Sequence, residues 1–449
     1  MRKIKKQLGL KIADRQFDHR RLSPFGGYID VVNFSPILGL QDSIVQKFQP
    51  GRSKHRVYSD ADILQRLLDI TILGVDRIDN SDLLYHDTLI QQLRGLDRDP
   101  SPSTLRRELE DCYAKDIADL EQINADFLEN QSTLTPPKEV TLLIDLSNIN
   151  SCGYQQRAVP GFNHRETKRC FQSFLGTIQE TQDLVKADLK SGNFIPSSND
   201  VIKFIKRCLS LVPSHLKVVS SRLDSGFWSF PVLNLLEKKG LEYFVKGSLR
   251  NNTPLVDLPY QIPEEDWIRV PKTNIWVSHK IDYYSSCYKK TYPLILIRER
   301  IKNPNSKQRE LDLGPFYSYR PLFSNSEKSP IKIYQTYNKG ALVEDVIKEM
   351  KQEFFLGHIA SHKFKANQAF IKIKVIAYNL INAFKRMILQ GLWATKSSKA
   401  IRNWIIRTPC IVSSHGKGMK LIYSDNLKLR DFLNSISDKV WLTAVRVVS

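Results

Sequence analysis

Val140-Thr141-Leu142-Leu143-Ile144-Asp145-Leu146 is a short, nearly continuous apolar run of strand length that closes on an aspartate. Hydrophobicity that is continuous rather than alternating marks a strand buried on both faces. A carboxylate at the end of such a strand is costly unless it faces a cleft, a partner or a metal ion. A strand-terminal Asp in a turn is the simpler alternative, and this stretch alone leaves both open. Pro136-Pro137 sets a boundary immediately before it. After it, strands are predicted at about 170–178 and 184–189, joined through Gln179-Glu180-Thr181-Gln182, and a helix at 197–211. His215-Leu-Lys-Val-Val-Ser220 is a further strand, running into Ser221-Arg222-Leu223-Asp224-Ser225-Gly226. A second aspartate therefore stands just beyond a strand, before a glycine that permits a tight turn. Residues 230–239 read as a helix and 241–246 as a strand. This order, with a later helix, is mixed α/β around a central sheet.

That later helix lies in Tyr334-Gln-Thr-Tyr337-Asn-Lys339-Gly340-Ala-Leu-Val-Glu344-Asp-Val-Ile-Lys348-Glu-Met-Lys351. Started at about Ala341, it puts Val343, Val346, Ile347, Met350 and Phe354 on one apolar face. Glu344, Lys348 and Lys351 fall on a neighbouring stripe. A carboxylate with two ammonium groups one and two turns along suits a metal ligand beside a phosphate backbone. The plainer alternative is a solvated Glu-to-Lys pair worth about 0.3–0.5 kcal/mol. Residues 247–330, with Trp267, Trp276, Tyr283, Tyr284, Tyr288, Tyr292 and Tyr317 among Pro, Gly and Asn, read as short strands inserted before this helix. The most apolar stretch, 366–393, is broken by Lys372, Lys374, Asn379, Asn382, Lys385 and Arg386, and is an amphipathic or buried helix rather than a membrane span.

Towards the N-terminus, residues 22–130 are helical in pattern. Asp60 is a candidate N-cap, Ser101-Pro102 opens a second helix, and a third covers about 114–128. Exposed Arg106 and Arg107 would let this part touch DNA. The division expected is a basic arm (1–21), a helical domain (22–135), a catalytic core in two parts (136–246 and 331–393) around a β-rich insertion (247–330), and a basic C-terminal region (394–449).

The chain carries a net charge of +20 over 449 residues. It is concentrated at the ends: residues 355–449 hold 16 Lys/Arg against three acidic residues, and Arg2, Lys3, Lys5, Lys6, Lys11, Arg15, Arg20 and Arg21 precede Leu22. Basic ends around a near-neutral middle suit a long polyanion, with nucleic acid the first candidate. Six widely spaced cysteines with no CxxC pair argue against structural zinc and fit a reducing cytoplasm.

Asp145 and Asp224 beyond strands and Glu344 on a late helix are the carboxylates that two Mg2+ ions would need. With them the chain resembles a DDE transposase of a bacterial insertion sequence, with an RNase H-like catalytic domain. The match is to the group whose third acidic residue lies in Tyr-x2-Arg-x3-Glu-x6-Lys. Tyr337, Glu344 and Lys351 hold three of those positions; Gly340 stands at the arginine, with Lys339 beside it. Ser23-Pro-Phe-Gly-Gly27, Asp82-Leu-Leu-Tyr-His-Asp87, Pro102-Ser-Thr-Leu-Arg106, Leu143-Ile-Asp145, Gly161-Phe-Asn163, Gly192-Asn193, Arg222-Leu-Asp-Ser-Gly-Phe227 and Ala377-Tyr-Asn-Leu380 match further pieces in order. The resemblance implies a catalytic triad of Asp145, Asp224 and Glu344 binding two Mg2+ ions, with Mn2+ a possible substitute. It implies DNA contacts by Arg222, Tyr337, Lys339, Lys348 and Lys351, an insertion beside the active site, and a homodimer on transposon ends and target DNA. It implies a bacterial, cytoplasmic, nucleoid-associated protein with no membrane partner. Two rivals stay open: a DNA-binding relative that has lost catalysis, to which Gly340 points, and a standalone nuclease on the same fold.

Overall fold

A series of helices leads the chain into its sheet. The computed structural model describes residues 21–49, 56–84, 86–151, 153–161, 168–249, 255–301, 316–339, 341–389, 391–415 and 418–448. The basic arm up to residue 20, Tyr85, Phe162, Asn163, Gly340 and Lys417 lie outside the described residues. The helices are α1 (Tyr28–Ile37), α2 (Leu40–Lys47), α3 (Asp60–Ile72), α4 (Thr88–Arg94), α5 (Pro102–Glu110) and α6 (Ala114–Glu129). The cap of α3 is Ser59 and not Asp60. The Ser59 hydroxyl accepts from the Asp62 N–H while the Asp62 carboxylate accepts from the Ser59 N–H, a reciprocal box that Asp60 cannot make from its place inside the helix. Ser101 caps α5 and Pro102 takes its first turn, as the sequence indicates. Arg107 is exposed, but Arg106 is half-buried and ion-paired to Asp79.

The central strand is β1 (Lys138–Asn150). On one side it pairs antiparallel with β2 (Arg169–Ile178), which pairs with the outer strand β3 (Leu184–Ser191). On the other it pairs parallel with β4 (Leu216–Leu223), itself parallel to β5 (Glu242–Lys246). The crossovers run through α7 (Ser198–Leu211) and α8 (Phe230–Lys238). Residues 247–330 supply β6 (Ile275–Val277), β7 (Ile281–Ser285), β8 (Lys290–Ile301) and β9 (Phe316–Phe323). These strands extend the central sheet, because β9 pairs antiparallel with β5, Leu322 opposite Lys246 and Phe323 opposite Val245.

After the sheet come α9 (Pro330–Asn338), α10 (Ala341–Gln352) and α11 (Phe364–Met387). Of the apolar face expected of α10, Val346, Ile347, Met350 and the following Phe354 are buried, and the Val343 side chain lies outside what is described. Helix α11 is buried almost all round, and its polar residues are the reason it tolerates this. Asn379 accepts from the Leu184 N–H and donates to the Leu184 carbonyl, so it acts as a short strand along the open edge of β3. The Lys372 ammonium meets Glu121 and Asp188, and Asn382 donates to Thr181 and Asp183. Buried polar groups paired in this way cost little and fix one docking position. The chain closes with a hairpin of β10 (Cys410–His415) and β11 (Gly418–Tyr423), followed by α12 (Leu427–Val448). Strand β10 pairs with Leu22–Ser23, which ties the C-terminal region to the N-terminal helices. Among the described residues no helix is long and apolar enough to cross a membrane.

Candidate active site

Strands β1 and β4 change register by one residue along their length. Val140 faces Val218, but Thr141 faces Ser220, so Val219 is an extra residue bulged from β4. Beyond the bulge Ile144 pairs with Leu223, and Leu223 pairs with Val245 of β5. The next residue on each strand is Asp145, Asp224 and Lys246, a row across three neighbours at the end where β4 and β5 stop. Without the bulge Asp145 would align with Leu223, and a one-residue slip turns a strand's side chains to the opposite face.

The sequence places Asp145 at a strand end, and the structure corrects this. Asp145 lies inside β1, opposite Leu175 of β2, and β1 pairs with β2 as far as Asn150. Pairing to β2 carries the polar Ser147-Asn148 segment onward as strand, while β4 has already ended. The edge of β1 beside Asp145 is thereby left open.

Glu344 comes to this edge from the first turn of α10. Leu143, Ile144, Asp145, Arg222, Leu223, Asp224, Lys246, Tyr337, Asn338 and Glu344 line one open pocket of about 310 Å³. Asp145 is half-buried, whereas Asp224 and Glu344 are exposed. Burial pushes the Asp145 carboxyl up to about 6, and the Asp224 and Glu344 charges add to this; the Leu146 N–H, donating to Oδ1 at 2.7 Å, and Arg222 pull the other way. Among the described residues no three Asp, Glu, His or Cys side chains stand close enough to enclose one ion. The pocket gathers the three carboxylates without closing them on a common point. Their chemistry fits a hard divalent cation: oxygen donors only, beside open space for water and phosphate oxygens. A carboxylate crowded like Asp145 gains most from such a charge.

Arg222 and Tyr337 form one wall. The guanidinium lies 4.6 Å from the centre of the Tyr337 ring, an arrangement stabilised by cation–π attraction. Burial holds Arg222 below its usual pKa, and its Nη1 has no hydrogen-bond acceptor among the described residues. Burial pushes the Tyr337 hydroxyl up to about 12, with Asp224 adding to the rise. Lys351 is crowded enough that burial lowers its ammonium pKa, with Asp145 opposing. Lys339, Lys348 and Lys351 are all exposed and do not line the pocket. Among the described residues no ion pair joins Glu344 to Lys348 or Lys351, so the plain salt-pair alternative for this stripe is not what the helix forms.

The sequence reading missed Lys246. Its ammonium is 3.3 Å from Asp224 Oδ1. The available signal was positional: Lys246 ends its strand as Asp224 follows Leu223, on the strand next door. Arg320 of β9 was missed as well; it lies with Lys246 and Tyr337 on a small adjoining cavity.

A family model described as "Transposase DDE domain group 1" matches residues 7–443. Among solved structures, a cryo-EM structure of a piggyBac transposase synaptic complex with hairpin DNA matches with a TM-score of 0.44 and 12% identity, over 91% of this chain and 85% of that chain. A TM-score of that size decides nothing about the fold. No curated protein matches the chain.

Proposed function

The chain belongs to the transposase DDE domain family, and from that premise we propose that it cuts DNA at the terminal inverted repeats of a bacterial insertion sequence and joins the freed 3′-hydroxyls to target DNA. One observation supports this most: the bulge-set register that aligns Asp145 with Asp224, with Glu344 on the same pocket. Asp145, Asp224 and Glu344 would hold two Mg2+ ions, with Mn2+ a substitute. When bound, these ions supply charge stabilisation to the attacking and leaving oxygens of an in-line phosphodiester displacement.

The chain's own residues position the DNA. The Arg222–Tyr337 stack gives the scissile strand a rigid wall, and the unpaired Nη1 offers a donor to a phosphate oxygen. Lys339, Lys348 and Lys351 follow from the end of α9 along α10 and hold neighbouring phosphates. Arg107 and the basic C-terminal region extend the contact, in keeping with the +20 charge. The working form on DNA is a homodimer holding two ends.

Glu344→Gln tests this. It keeps the side chain's size and removes the charge a hard cation needs. Cleavage of a labelled terminal-repeat duplex in Mg2+ should be lost, with binding kept or slightly tightened. Lys351→Ala should instead weaken binding, less so at high salt, and lower cleavage through that loss. Normal cleavage by Glu344→Gln rejects the third carboxylate.

A further inference from the structure

Carboxylates and cations line the same pocket. Lys246 ends β5 in the row with Asp145 and Asp224, and its ammonium pairs with Asp224 at 3.3 Å. That pair is 30% and 55% exposed on its two sides, so solvent screens it and it is weak. Leu322 pairs with Lys246, and Arg320 stands two residues further along β9 on the same face. Lys246, Arg320, Tyr334 and Tyr337 line a cavity of about 70 Å³ that adjoins the carboxylate pocket. Arg320 is tied to Glu299, yet its Nε has no acceptor among the described residues. The Arg222 Nη1 is in the same condition across Tyr337.

An ammonium 3.3 Å from Asp224 Oδ1 and a divalent cation on the same carboxylate compete, since each weakens the other's hold on its charge. The Lys246 backbone is fixed in the sheet, but its four-carbon stem lets the head re-aim. We propose that Lys246 is an exchangeable counter-ion. Without a divalent ion it neutralises Asp224; with one bound, its head turns to the adjoining cavity and, with Arg320, takes a phosphate of the DNA next to the one that reacts. The insertion thus contributes a phosphate site that opens only in the metal-loaded protein. This rests on the proposed function, because it needs Asp224 to be a metal ligand.

The test uses the full chain and a fluorescein-labelled duplex of random sequence, with affinity read by anisotropy in EDTA and in Mn2+. Lys246→Gln should bind the duplex like the parent in EDTA. In Mn2+ it should bind several-fold more weakly, with the slope of log affinity against log salt shallower by about 1. Lys246→Arg should restore most of the Mn2+-dependent binding. Loss of the same size in both conditions makes Lys246 a permanent contact and overturns the exchange; no loss in either removes the phosphate site. Bound Mn2+, counted from the electron paramagnetic resonance of the free ion, separates the two levels. Lys246→Gln should hold Mn2+ at least as tightly as the parent, and weaker binding overturns the competition. A parent that binds no Mn2+, or binds it unchanged after Asp224→Asn, brings down the proposed function itself.

Discussion

Asp145→Asn should stabilise the metal-free protein while destroying its activity. Burial, then the charges of Asp224 and Glu344, raise the Asp145 carboxyl from 3.8 to about 6. The folded state thus holds a proton that the unfolded state releases, and stability falls as pH rises from about 4 to about 6. Each pKa unit is about 1.36 kcal/mol, so the full shift corresponds to about 3 kcal/mol, and partial exposure reduces this to about 1–2 kcal/mol. Asparagine keeps the shape and drops the charge. In urea unfolding at pH 7 with EDTA, the variant should be more stable than the parent by that amount, and the gap should close at pH 4. Mg2+ should stabilise the parent and do little for the variant. A variant less stable than the parent at pH 7 in EDTA would mean that folding contacts satisfy this carboxylate, and the picture of a like-charged pocket would be refuted.

Duplex binding should fall steeply with salt, since each phosphate neutralised contributes about −0.9 to the slope of log affinity against log salt. A slope near zero, measured at several salt concentrations, would assign the +20 charge to another partner. Gly192→Ala should cost about 1–3 kcal/mol in urea unfolding, because a Cβ there would come within 2.2 Å of the Cys170 carbonyl and 2.3 Å of the Val159 carbonyl, and backbone cannot step aside as a side chain can. An unchanged midpoint would show that the short 159–160 strand moves freely.

The order of strands and helices was legible because each element announces itself locally. The apolar run at 140–146, the helix at 197–211 and the strand ending in Lys246 need no distant partner to be recognised. The pairing that makes the site was not legible. Whether Asp145 meets Asp224 or Leu223 depends on one bulged residue, Val219, which resembles any other strand valine. The extension of β1 through Ser147 and Asn148 was hidden for a related reason: strand propensity is set by neighbours, and here β2 overrides the polar sequence. The aromatic segment after Gly247 read as strands, but its continuity with the main sheet rests on two residue pairs between β9 and β5. The C-terminal region read only as basic. Its hairpin pairs with Leu22–Ser23, about 390 positions away in sequence, and no local pattern encodes that. Lys374 shows the limit most plainly. As a lysine it looked like a break in an apolar helix, yet it is fully enclosed and donates to the Phe355 and His358 carbonyls in the loop that follows α10.

The central claim is that Asp145, Asp224 and Glu344 share divalent ions. Anomalous diffraction at the manganese edge, from crystals of the full chain grown with terminal-repeat DNA and Mn2+, tests it most directly. The expected result is manganese density within about 2.0–2.3 Å of carboxylate oxygens of all three residues, with a DNA phosphate completing the coordination. Manganese held elsewhere, or DNA bound with Lys246 still on Asp224 and no ion at Asp145, would contradict it.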